Sequence, residues 1–95
     1  MQIGTVYLNG IGLNMRIDKF LKVSRLIKRR TIAKEACDKE RIMINGKTAK
    51  PGSEVKPGDI IEIHFGQRTL KAEVLSISEH ATKASAPAMY RELIT

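Results

Sequence analysis

One cysteine, Cys37, stands in the chain, so no internal disulfide is possible and a reducing, cytoplasmic setting is expected. Aromatic residues number four, Tyr7, Phe20, Phe65 and Tyr90, and two of them read as core. That leaves too few for stacking of splayed bases to be the main mode of any nucleic-acid recognition. No apolar run reaches the length of a membrane-spanning helix. The N-terminus lacks the basic start and unbroken apolar stretch of a secretion signal. His64 and His80 have no partner at metal-ligand spacing. The sequence contains no glycine-rich phosphate loop, catalytic triad, paired carboxylates, internal repeat or low-complexity run. Ninety-five residues build one small domain and leave no room for a separate catalytic domain. A binding protein that is not an enzyme and uses no metal or cofactor is therefore expected.

What is present is positive charge, and it is concentrated. The formal net charge is +7. Residues 16–34, RIDKFLKVSRLIKRRTIAK, hold eight cations (Arg16, Lys19, Lys22, Arg25, Lys28, Arg29, Arg30 and Lys34) and one acid, Asp18. Eight minus one equals the charge of the whole chain, so the remainder sums to zero. Apolar residues are threaded through this segment at helical spacing, which makes it a structured charged surface rather than a basic tail. A polyanion is its natural partner, nucleic acid before an anionic membrane. Arginine in particular suits phosphate, because its planar fork matches two oxygens at once.

Taken in order, residues 1–14 carry no charge, offer a short strand at Val6–Leu8, and read as an extension upstream of a functional start at Met15. Residues 16–25 predict a helix, with Ile17, Phe20, Leu21 and Ser24 on one face. Asp18 falls in its first turn, where an acid suits the helix dipole or orients an arginine. A second helix is predicted over about 29–39, with Ile32, Ala33, Ala36 and Cys37 apolar and the alanines allowing close helix approach. Thr31 is a candidate N-cap. Lys28, Arg29 and Arg30 then surround a helix N-terminus, a natural phosphate site. Cys37 reads as a buried residue rather than a nucleophile. Strands are predicted at 41–45, 47–49, 60–65 and 70–77, the first two joined by the tight-turn pair Asn45-Gly46. Leu70, Ala72, Val74 and Ser76 share one side of the last. The tail, 78–95, reads as flexible, or as a helical turn or two docking Met89, Tyr90 and Leu93. Two short helices followed by a small, mostly antiparallel sheet make an α+β domain over 15–77.

The run RIDKFL, the R-x-x-A of Arg30–Ala33, the I-x-I-N-G of Ile42–Gly46 and the V-K-P-G-D of Val55–Asp59 together resemble the S-four RNA-binding domain. With FGQR at 65–68 and Met89-Tyr90, the chain is most similar to stand-alone members. These are the RqcP family of ribosome-associated quality-control factors and its relative, the fifteen-kilodalton heat-shock protein family. The resemblance implies contacts with large-subunit rRNA and with peptidyl-tRNA on the large ribosomal subunit. It implies support, as a monomer, for an alanine-tailing partner, or a more general rRNA-binding, assembly or recycling role. Arg16 and Arg30 are the positions it weights most. The expected RNA-binding set is Arg16, Lys19, Lys22, Arg25, Lys28, Arg29, Arg30, Thr31, Lys34, Asn45, Lys47 and Lys50. Many S-four domains have glycine where this chain has Glu40, which predicts a differently built end to the second helix. Rivals are a DNA-binding helix-turn-helix, a membrane-surface module, and the appendage of an RNA-modifying enzyme or tRNA synthetase.

Overall fold

The computed structural model describes residues 14–79 and 81–93. The strand expected at Val6–Leu8 and, apart from Asn14, the proposed extension lie outside these residues, as does His80. The chain opens with β1 (Met15–Arg16), which pairs antiparallel with β4 (Glu54–Val55), Met15 facing Val55 and Arg16 facing Glu54. Helix α1 (Ile17–Val23) follows directly. It begins one residue later than its charge pattern implies, because Arg16 is held extended by that pairing. No side chain caps it. Its first N–H groups are satisfied by a loop instead: Ile17 donates to the Ser53 carbonyl at 2.6 Å and Asp18 to that of Pro51 at 3.4 Å. Ile17, Phe20, Leu21 and Ser24 are all buried, as their spacing requires.

Helix α1 ends where Arg25 adopts a left-handed conformation, φ +65°, with its N–H on the Lys22 carbonyl at 3.1 Å. Helix α2 (Arg30–Asp38) starts after an extended Arg29 that caps with no side-chain hydrogen bond. Thr31 therefore lies inside the helix rather than at its cap. Ala33 is fully buried between the helices and Cys37 beside it. Ile32 departs from the expected apolar face: it is 48 % exposed. At the far end Glu40 itself takes the left-handed conformation, φ +60°. Its N–H reaches the Cys37 carbonyl and that of Arg41 reaches Ala36, both at 2.9 Å, the paired bonds of a Schellman closure. The helix end is thus built in the usual way, with glutamate bearing a strain that glycine would not.

Five strands form the main sheet, in the order β3-β2-β5-β6-β7, and every neighbouring pair is antiparallel. They are β2 (Ile42–Ile44), β3 (Lys47–Thr48), β5 (Ile60–Phe65), β6 (Arg68–Val74) and β7 (Tyr90–Leu93). Asn45 (φ +52°) and Gly46 (φ +83°) make the two-residue turn between β2 and β3. Ile42 pairs with Ile63 and Ile44 with Ile61, so these isoleucines share the face that packs on the helices. The core joins them to Phe20, Leu21, Val55, Val74 and Met89.

Two features of this sheet differ from the sequence expectation. Strand β6 starts at Arg68, opposite Phe65 across a Gly66-Gln67 turn. It stops at Val74, because the N–H groups of Leu75 and Ser76 turn to the Met89 carbonyl, at 2.8 and 3.3 Å. Ser76 therefore does not extend the row Leu70, Ala72, Val74. The described part of the tail forms a 3₁₀ turn (Ala86–Met89) and then β7, which pairs Tyr90 with Val74 and Leu93 with Lys71. Four residues are too few to nucleate a helix, whereas β6 offers them an open edge of ready hydrogen bonds. The sheet thus runs past residue 77.

Candidate nucleic-acid interface

The cationic segment is organised by one carboxylate. Asp18 sits in the first turn of α1 with its side chain only 2 % exposed. Its Oδ2 accepts from Arg16 Nη2 at 3.0 Å and its Oδ1 from Arg30 Nη2 at 3.4 Å. Arg16 arrives from β1 and Arg30 from the first turn of α2, so three elements meet at one acid. Both arginines remain half in solvent, 50 % and 46 % exposed, with guanidinium donors to spare. An acid placed under two half-exposed guanidinium groups fixes their direction while leaving them available to a ligand. Asp18 is a positioning residue, one of the two roles its place in the sequence allows.

Arg16, Asp18, Arg30, Thr31 and Lys34 line one open concavity of about 330 Å³. Its lining carries three cations and one anion. The first turn of α2 opens beside it, and no side chain caps those N–H groups. Phosphate is the chemistry this suits: planar forks, a point charge and a helix dipole converge on a shallow, solvent-open site.

The other expected residues are placed less centrally. Lys22, Arg25, Lys28 and Arg29 are exposed on the end of α1 and the connection to α2, continuing the charged surface. Lys19 pairs with Glu79 at 2.6 Å, which offsets its charge. Lys47 and Lys50 are exposed along the hairpin and the segment after it. Asn45 is occupied structurally. Its amide donates to Asp59 Oδ1 at 3.0 Å and its Oδ1 accepts from the Ile60 N–H at 2.9 Å. Burial alone would raise the Asp59 carboxyl. The Asn45 amide and the Lys56 N–H and ammonium outweigh it and hold the group below the usual range. Cys37 is buried and inert: desolvation, with Asp18 and Asp38 adding to it, pushes its thiol up to about 11. Sequence reasoning missed the loop at Pro51–Ser53, which fixes the start of α1 and so aims Asp18. It carries no charge, and only the loop's return to α1 exposes its part.

Comparison with known proteins agrees with this architecture. The S4 domain model matches residues 15–61. The RQC P-site tRNA stabilizing factor of Listeria innocua is 55% identical over 76 residues, covering 80% of this chain and 83% of that protein. Its Bacillus subtilis counterpart is 54% identical, over 80% and 88% of the two chains. Among solved structures, trimeric Heat Shock Protein 15 of Vibrio cholerae aligns with a TM-score of 0.77 at 30% identity, over 84% of this chain and 82% of that one. Identity above one half across four-fifths of the length decides the kinship, and the chain belongs to the S4-domain family of RQC P-site tRNA stabilizing factors.

Proposed function

We propose that this chain is a non-enzymatic RNA-binding protein of ribosome-associated quality control. It recognises folded RNA by shape and phosphate rather than by base sequence. Its ligands are tRNA, in the form of peptidyl-tRNA, and large-subunit rRNA. By holding that tRNA on the large subunit it supports alanine tailing of stalled nascent chains by a partner, acting as a monomer in the cytoplasm. The observation that supports this best is the Asp18-held pair Arg16 and Arg30 within the charged segment. The name of the relatives, P-site tRNA stabilizing factor, supplies the ligand. The RNA-binding surface comprises Arg16, Arg30, Thr31 and Lys34 at the centre. Lys19, Lys22, Arg25, Lys28 and Arg29 surround it, with Lys47, Lys50 and the Asn45 turn along the hairpin.

Sedimentation of the tagged protein through a sucrose gradient tests the reading. It should travel with free large subunits, more so when translation is stalled, and Arg30→Ala should release it to the top. Migration at the top in every condition, with binding only to isolated RNA, would overturn the quality-control role. The likeness to Heat Shock Protein 15 favours a second reading, a general rRNA-binding or recycling factor. Large-subunit association that does not rise with stalling would select it.

A further inference from the structure

Helix α2 has a second working face. Arg30, Thr31 and Lys34, which line the phosphate concavity, centre roughly 140° around the helix from Ile32, Glu35, Ala36 and Lys39. The latter four line a separate groove of about 200 Å³. Buried Ile27 and Ile63 lie among its walls with Leu26, and half-exposed Ile32 and Phe65 flank it. Among the described residues only three large hydrophobic side chains are substantially exposed, and two of them are Ile32 (48 %) and Phe65 (45 %). Exposed apolar area gathered at one concave site marks a surface with a partner.

The chemistry around it narrows the partner. Lys39 is paired with Glu35 at 3.8 Å. Arg41 on the rim has no acidic partner among the described residues, and neither has Arg68. Arg68 lies directly across the hairpin from Phe65, and cross-strand partners share a face of the sheet. The groove therefore has mainly aliphatic walls, with Phe65 and His64 among them, and two uncompensated guanidinium groups, Arg41 in its lining and Arg68 beside Phe65. A second copy would set cations against cations. RNA bases need planar stacking surfaces, and of the two rings in the lining only Phe65 is free, His64 being turned to Thr69 at 3.1 Å and Glu62 at 3.6 Å. The volume seats one or two bulky side chains, the scale of an interface anchor rather than of a small-molecule site.

We infer that this groove docks a short acidic segment of a protein partner. One or two bulky apolar side chains insert between Ile32 and Phe65, and flanking carboxylates meet Arg41 and Arg68. Because the groove faces away from the phosphate concavity, the protein holds RNA and this segment together. The inference stands on the groove alone and not on the identity of the RNA.

The test is selection of a phage-displayed random 12-residue peptide library on the protein saturated with unfractionated tRNA. Enriched sequences should place Asp or Glu beside Leu, Ile, Met or Phe. The synthesised consensus peptide should bind in fluorescence anisotropy and lose about tenfold or more in affinity to Ile32→Asp, as for loss of an interface anchor. Arg41→Glu should weaken that peptide and favour a version with Lys in place of its acids. Circular dichroism confirms that both variants are folded, and both should keep tRNA binding to within the few-fold that their added negative charge takes from any polyanion. Enrichment no greater than on Ile32→Asp, or of sequences lacking acids, would overturn the inference. So would loss of tRNA binding in folded Ile32→Asp, which would give the groove to RNA. Concentration-dependent self-association abolished by Ile32→Asp would give it to a second copy and overturn it equally.

Discussion

Replacing Asp18 by Asn sets two accounts of the charged surface against each other with opposite signs. If RNA responds only to net charge, removing an acid from the phosphate site must tighten binding. The site becomes more positive by one, and a unit charge about 4 Å from a phosphate is worth about 1 kcal/mol even in water. If Asp18 acts by aiming Arg16 and Arg30, binding must weaken. The bonds at 3.0 and 3.4 Å to two half-exposed guanidinium groups favour the second account. Asparagine keeps one acceptor oxygen but turns an amide donor towards the other arginine, so at least one fork is released. Re-ordering one such side chain on binding costs about 0.5–1.5 kcal/mol. Loss of a bidentate phosphate contact adds to it, for a fall in affinity of about tenfold. The folding cost should stay near 1–2 kcal/mol, below the 3–5 typical of a broken buried pair, because both arginines regain water. Fluorescence anisotropy with labelled tRNA at fixed salt reads the binding, and a thermal melt reads the fold. Exposed Asp38→Asn is the control for charge alone and should bind equally or slightly better. A folded Asp18→Asn that binds as well as Asp38→Asn would refute the positioning role.

Three further outcomes follow from the same structure. With roughly four to six phosphates engaged, log affinity for tRNA should fall against log salt with a slope of about −3 to −5. Arg30→Ala should reduce that slope by about 1 and cost about 1 kcal/mol of stability, since buried Asp18 keeps Arg16 but loses one of its two partners; a salt-independent affinity would contradict phosphate recognition. Glu40→Gly should stabilise the fold by about 0.5–1 kcal/mol, since it relieves a left-handed glutamate at a cost in unfolded-state entropy. For a domain of this size that is a rise of several degrees in melting temperature, and a fall would show the strain to be absent. The Asp59 carboxyl is depressed in the folded state. The stability it contributes is therefore full above its unfolded value near pH 4, and is lost as pH falls through its folded value. Urea denaturation below about pH 4 should steepen accordingly, and Asp59→Asn should flatten that acid limb.

Period and punctuation made most of the fold legible. Ile17, Phe20, Leu21 and Ser24 announced the buried face of α1, Asn45-Gly46 announced the hairpin of β2 and β3, and the run at 60–65 announced β5. The concentration of cations between Arg16 and Lys34 located the candidate site. What stayed hidden was long-range. Nothing local tells that residues 90–93 extend the sheet, because their strand exists only through the free edge of β6. Ile32 carries the same pattern signal as Ala33, yet α2 turns only the latter into the core, and neighbours distant in sequence set that rotation. Asn45 reads equally as turn residue and RNA ligand until Asp59 and Ile60 are seen holding its amide. Glu40 shows the converse: an unfavourable residue type was tolerated because the closure around it was already determined by the fold.

The loop at Pro51–Ser53 has a consequence for how affinity is set. The charge of the 16–34 segment is there as soon as the residues are made, but the clamp is not. Arg16 and Asp18 take their places only when a stretch more than thirty residues downstream returns to pair with β1 and receive the first N–H groups of α1. An unfinished or partly folded chain would therefore attract RNA as any polycation does, without the fixed geometry of the mature site. Selection among relatives can act on the same separation. Ser53 and Glu54 belong to that scaffold through their backbone, so the placing of Arg16 and Asp18 depends on positions outside the charged segment.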